Sequence, residues 1–233
     1  MKSTLKTLSS TLLFFWILTS STVMNAQSCS DYYPTTKGTK YEIAHYDKKN
    51  KVVSTDAYEI IETSGNTTTI HVTMTDDKGE ETISGNYDMI CTEDAVEIDM
   101  NSMISKKMAA ELAGKDIDLD INGTKMVIPN NLSVGKTLPD NVLDMDIKTG
   151  AMNMAFKVKT YNRKVTGKKK VTVAAGTFDC FIIEQETEIH MLVTKNSKSK
   201  QWIAKGVGLV KQETYNKNGK IESKDELTAF SKY

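Results

Sequence analysis

The sequence predicts a mainly β protein: a curved antiparallel sheet or half-barrel of about a dozen strands with one helix packed on its face. Three observations carry this prediction. Many short runs alternate apolar and polar residues with a period of two, turn residues divide those runs, and one segment alone switches to a helical period.

An export signal is expected first. Lys2 and Lys6 supply a positive start, Leu12-Leu13-Phe14-Phe15-Trp16-Ile17-Leu18 an apolar core, and Ser20, Ser21 and Ala26 the small residues a signal peptidase accepts. The apolar run is too short to span a bilayer as a helix. Cleavage between Ala26 and Gln27 divides the chain into a signal peptide, 1–26, and a single β-rich domain, 27–233. The alternative is a lipid anchor at Cys29, which follows Ala26-Gln27-Ser28. Ala at the third position before Cys29, where a lipid signal places Leu, and the polar residues between Leu18 and Cys29 favour release. The expected destination is therefore the periplasm or the cell exterior, with no transmembrane segment in the mature chain.

The strands follow. Residues 40–46, 57–62, 67–75 and 82–91 form a meander divided by Lys48-Lys49-Asn50, Ser64-Gly65-Asn66 and Asp77-Lys78-Gly79. From 101 to 113, Ile104, Met108 and Leu112 fall four apart with Met103 beside them, which makes one apolar stripe of a helix. Asn101 or Ser102 can cap its start and Gly114 its end. Residues 116–121 and 124–128 flank Asn122-Gly123, a pair suited to a type I′ turn, and so predict a hairpin. Residues 143–148, 152–159, 170–173, 178–190, 201–204, 209–215 and 220–230 complete the set, a number that suits a barrel, a sandwich or a strongly curved sheet.

Composition excludes several function classes. The whole chain has 30 basic and 30 acidic residues, and loss of Lys2 and Lys6 leaves a net charge of −2. That balance provides no footprint for nucleic acid or an anionic lipid surface. No proline-, glycine- or serine-rich linker divides the mature chain, and no internal repeat is evident. Its three cysteines, Cys29, Cys91 and Cys180, enter a compartment where disulfides persist, and an odd count leaves one thiol over in a monomer. Sequence leaves all three pairings open. Cys91 and Cys180 each close a strand-like run, which favours small buried hydrophobes over a bridge.

Candidate chemistry is sparse. Asp116, Asp118, Asp120 and Asn122 superficially resemble a calcium loop, but Ile121 and Val127 stand where such a loop needs glycine and glutamate. Ile117, Leu119 and Ile121 interleave with these acids, so the spacing describes a strand with one solvated face. His45, His71 and His190 lie in different predicted strands without local metal-ligand spacing. Gly206-Val207-Gly208 lacks the third glycine of a dinucleotide fingerprint and reads as a turn. Asn66, Asn122 and Asn131 head glycosylation triplets, which matter in a eukaryotic secretory pathway. No nucleophile elbow is present. Catalytic residues, cofactors and metal ligands are accordingly expected to be none.

Several motifs together resemble a known group. They are Cys29-x-x-Tyr32-Tyr33-Pro34 with Lys37-Gly38-Thr39-Lys40-Tyr41, then Tyr161-Asn162-Arg163-Lys164, Ala175-Gly176-Thr177-Phe178-Asp179-Cys180, and Trp202-x-Ala204-x-Gly206-Val207-Gly208-Leu209-Val210-Lys211. This pattern resembles the TapB-type family of secreted proteins from Gram-negative bacteria, related to a domain of unknown function, over almost the whole mature chain. The resemblance implies an envelope protein whose curved sheet wraps a helix, in outline like the lipoprotein carriers, with no site residues to transfer. Gly176 and Gly206 then read as turn positions, Phe178 and Trp202 as core anchors. The leading functional expectation is a non-enzymatic protein that holds an apolar or lipid-like ligand in a concave sheet. The alternative is an interaction module that binds an envelope protein by a sheet edge or face. A hydrolase would need one of the histidines beside Cys180 or an acid pair.

Overall fold

The computed structural model describes residues 30–99, 117–149 and 152–232. Within them lie β1 (Lys40–Asp47), β2 (Val52–Ser64), β3 (Thr67–Asp76), β4 (Glu81–Cys91), β5 (Ala95–Ile98), β6 (Ile117–Gly123) and β7 (Met126–Pro129). The set continues with β8 (Asn141–Thr149), β9 (Met152–Val173), β10 (Gly176–His190), β11 (Thr194–Ala204), β12 (Gly208–Tyr215) and β13 (Ile221–Ser231). All thirteen join one sheet in the order β6-β8-β9-β10-β11-β12-β13-β1-β2-β3-β4-β5-β7. Every pairing is antiparallel.

The expected helix on the sheet face is corrected. Among the described residues all regular structure is strand, and no helix lies on the sheet; the segment 101–113 read as that helix is outside the described residues. The physical reason is that the apolar faces are covered by the sheet itself and by irregular chain. One core cluster combines Tyr41, Ile60, Ile70, Met89, Val96, Trp202, Val210 and Leu227 from strands that span most of the sheet. A second adds Tyr32, Leu132 and Leu138 from irregular segments to Val165, Ile183 and Ile203.

The Asn122-Gly123 hairpin is corrected as well. β6 and β7 occupy opposite ends of the strand order, and Gly123 continues β6 opposite Leu143 of β8. A Cβ at Gly123 would stand 2.8 Å from the Val142 carbonyl oxygen. The glycine therefore serves close strand approach and not a positive-φ turn. Only Thr124 and Lys125 separate the two outer strands, and three Cα steps span at most about 11 Å. The sheet must roll until its outer strands approach one another.

Several strand limits also differ from expectation, β2 beginning at Val52 instead of residue 57. β5 was not foreseen. Residues 152–159 and 170–173 belong to one strand, β9, of 22 residues. β11 begins at Thr194, because Lys195, Asn196, Ser197, Lys198 and Lys200 form strand without the apolar alternation that marks one in sequence.

Candidate functional site

β10 and β11 carry the candidate site as they leave the core. Alternation places Cys180 and Ile182 on the same face of β10 as Glu184 and Glu186, and Trp202 and Ala204 on the same face of β11 as Lys200 and Lys198. Buried apolar residues at one end thus give way to charge at the other. The register then builds two rows across four strands. Lys164, Glu184, Lys200 and Glu213 stand side by side, and next to them Tyr161, Glu186, Lys198 and Tyr215. Lys200 Nζ lies 2.9 Å from Glu184 and Lys198 Nζ 3.5 Å from Glu186, while the Tyr215 hydroxyl donates to Glu213. Burial first, and then that carboxylate, raise the Tyr215 pKa.

Lys164, Glu184, Glu186, Lys198, Lys200 and Tyr215 of these rows line a groove of about 730 Å³, with Asn162, Asn196, Ser197, Ser199 and Asn216 among its other residues, so that polar heads and the aliphatic stems that carry them share its walls. Four lysines, Lys164, Lys198, Lys200 and Lys217, face two glutamates in it. Paired charges in an open groove contribute little to stability, since exposed ion pairs are worth about 0–1 kcal/mol each. They do offer a patterned, hydrated surface to a partner.

The groove floor is set by a bulge in β9. Asn162 takes φ 53°, which lets Asn162 and Arg163 both oppose Gln185 while Tyr161 and Lys164 pair with Glu186 and Glu184. Arg163 is only 1% exposed. Its Nε donates to Gln185 Oε1 at 3.2 Å, and its Nη1 donates to the carbonyls of Pro139 at 2.8 Å and Val127 at 3.4 Å. Burial lowers the guanidinium pKa, opposed by Tyr33 and Asp140. Val127 belongs to β7, the last strand of the order, so Arg163 links β9, the third strand from one end, to the strand at the other end.

A second polar assembly crosses β11, β12, β13, β1 and β2. Gln201 Nε2 donates to Gln212 Oε1 at 2.6 Å, and Gln212 Nε2 to Asp225 Oδ2 at 2.8 Å. His45 then lies between two acids, Nδ1 at 2.8 Å from Asp225 and Nε2 at 2.9 Å from Asp56. The Tyr58 hydroxyl donates to Asp56 at 3.1 Å. Hydrogen bonds to Asp225 and Asp56 outweigh desolvation and raise the His45 pKa to about 10. The ring stays protonated at neutral pH, with both nitrogens donating, and cannot act as a general base.

The remaining candidates do not converge. His71 Nδ1 contacts Asn86 Oδ1 on β4, and His190 Nδ1 contacts Thr194 at the β10–β11 turn. Cys180 is a buried free thiol whose pKa burial pushes up to about 11. That is the opposite of an activated nucleophile. Cys91 is disulfide-bonded, which departs from its reading as a plain buried hydrophobe. Cys29 lies outside the described residues. Asp120 is exposed and accepts from Asn122 Nδ2 at 2.9 Å, on an outer strand, while Asp116 lies outside the described residues. Among the described residues no group of three potential metal ligands forms, and no helix is long and apolar enough to cross a membrane.

Sequence reasoning missed the two assemblies, although part of their signal was present. Glu184-x-Glu186 and Lys198-x-Lys200 both show period-two charge, and rung pairing follows once the two strands are known to be neighbours. Nothing local marks Asp56 and Asp225 as partners of His45.

No curated protein shows significant sequence similarity to the chain. Two crystal structures are similar in fold. One is an inferred exported protein with a YmcC-like fold from Bacteroides fragilis, 19% identical, covering 88% of this chain and 100% of that one with a TM-score of 0.71. The other is an inferred lipoprotein from Parabacteroides distasonis, 20% identical, with 88% and 100% coverage and a TM-score of 0.67. The sequence pattern of the DUF3108-like family matches residues 36–227, most of the chain, and the protein belongs to that family.

Proposed function

We propose that this is an exported, non-enzymatic binding module of the cell envelope that engages a hydrated, acidic segment of a partner protein in the groove over β9–β12. In this reading residues 1–26 are removed as a signal peptide and 27–233 act as one unit, and the finer kinship is to the TapB-type group. The exported and lipoprotein descriptions of the two fold relatives support the destination.

The observation that carries the proposal is the contrast between filled apolar clusters and a groove lined by charged and polar residues. Ile60, Met89, Val165, Ile183, Val210 and Leu227 are all 0% exposed, whereas the groove over β9–β12 is lined by lysine, glutamate, asparagine and serine. An apolar ligand would have to displace packed side chains, while a polar chain could enter without doing so. This contrast favours the interaction-module alternative over the lipid-carrier expectation. The lysine excess in the groove selects an acidic partner segment.

Cross-linking in the native envelope tests it. The wild type is expected to yield one dominant adduct that weakens with salt and falls at least tenfold in a Lys198→Glu/Lys200→Glu variant, order-of-magnitude effects of lost charge complementarity. An adduct unchanged by charge reversal, or a lipid released in stoichiometric amount from purified protein, would exclude this reading.

A further inference from the structure

We infer that Cys91 is bonded to Cys29, and that Cys29 is therefore a disulfide half and not a site of lipid attachment. Cys91 closes β4 and is disulfide-bonded. Cys180, on β10, is a free buried thiol. The chain has three cysteines, so a bond within it leaves Cys29 as the other half.

A second observation places the chain beside Cys29 within reach. The Asp31 backbone N–H donates to Asn130 Oδ1 at 3.2 Å, and the Asn130 backbone N–H donates to the Asp94 carbonyl at 2.8 Å. Asp94 lies in the turn that follows Cys91, closed by the Thr92 N–H donating to the Ala95 carbonyl at 2.9 Å. Asp31 is thus tethered to that turn, and the two residues of chain from Cys29 to Asp31 reach at most about 7 Å. Ser30 is buried and its hydroxyl accepts from the N–H groups of Tyr32 and Tyr33. Tyr32 is 1% exposed in the second core cluster, and Asp31 pairs with Lys205 at 2.7 Å. The chain is docked from Ser30 onward, without the free tether that would separate a lipidated cysteine from the fold.

The chemistry makes the two fates exclusive. A lipid thioether uses the Cys29 sulfur to bond a diacylglyceryl carbon, and the disulfide uses the same sulfur to bond Cys91 Sγ. Disulfide formation removes one proton and one electron from each thiol. An oxidised dithiol protein of the exported compartment takes up both electrons and both protons, its own disulfide being reduced to two thiols. The bond ties the start of the domain to the β4–β5 turn across about 60 residues of chain. Cys180, inaccessible and with a raised pKa, stays outside the exchange.

This inference rests on the export reading, and one experiment separates the two. The full precursor is expressed in an export-competent Gram-negative host, fractionated, alkylated under denaturing conditions without reduction, and mapped by mass. The expected result is a processed protein beginning at Gln27, a Cys29–Cys91 linked peptide, and alkylation at Cys180 alone. A Cys180→Ser variant keeps the linked peptide. A diacylglyceryl thioether on Cys29, a Cys91–Cys180 peptide, or alkylation of both Cys29 and Cys91 in the exported protein overturns the pairing. Retention of the unprocessed protein in the cytoplasm overturns export; the same protein refolded with a glutathione redox pair then still decides the pairing, by presence or absence of the linked peptide.

Discussion

His45 shows how a single residue in a strand acquires a fixed charge from its neighbours. Removing it would leave Asp56, 4% exposed, and Asp225 facing one another without the cation that holds them. His45→Gln is expected to cost roughly 3 kcal/mol at pH 7, in the range for breaking a buried ion pair. The pH dependence has a defined sign. A folded-state pKa of about 10 against an unfolded value of about 6.5 means that the contribution is complete below about pH 6.5 and is lost as pH rises through about 10. Urea midpoints of the wild type should therefore fall between those values more steeply than those of His45→Gln. Equal slopes would show that the clamp does not form. Gly208 provides a second residue-scale test. It takes φ +89° and a Cβ there would stand 3.1 Å from the Tyr33 ring, whereas Gly206, at φ +66°, meets only the Lys232 ammonium at 3.7 Å. Gly208→Ala should lower the thermal midpoint more than Gly206→Ala, since the first adds overpacking to backbone strain.

At the scale of the element, β9 combines tasks that usually fall to separate strands. Its first part, up to Thr160, pairs with β8, Asn162, Lys164 and Thr166 beyond it line the groove, and its bulge turns Arg163 into the interior. Arg163 donates to the carbonyl of Val127 on β7, an outer strand that pairs only with the four residues of β5 among the described residues. Arg163→Ala should destabilise the protein by roughly 3 kcal/mol, combining a cavity with buried carbonyls left without donors. The local signature is more specific than the cost. Hydrogen exchange at residues 126–129 should accelerate beyond that of β1–β3, and Arg163→Met, which restores volume without donors, should recover stability without restoring that protection. Uniform acceleration over the whole sheet would deny Arg163 its part in linking β9 to β7.

Across the whole molecule, one continuous ladder links strands from both halves of the chain, with β1 between β13 and β2. Neither half can leave without breaking that ladder and the first core cluster, to which both contribute. Urea unfolding should be a single transition, with far-UV circular dichroism and the fluorescence of Trp202 coincident once Trp16 has been cleaved with the signal. Separated transitions would mean that the halves are independent units. Much of this architecture was legible in the residues themselves. β1, β3, β4, β12 and β13 follow from period-two alternation between turn residues, because half-buried strands must alternate. β11 was largely illegible, because a strand that lines a groove of charged and polar residues has no apolar face to reveal it beyond the core. The Asn122-Gly123 reading failed because the same glycine that suits a tight turn also suits close backbone approach, and only Val142 decides between them. Local sequence thus determined the β character, the antiparallel class and most strand limits, since these depend on alternation and turn chemistry within a few residues. Tertiary structure alone decided the strand order, the rolled closure, the Lys–Glu rows, the Arg163 bridge and the His45 clamp. Each of these depends on which distant strands become neighbours, a choice made by the burial of the whole sheet.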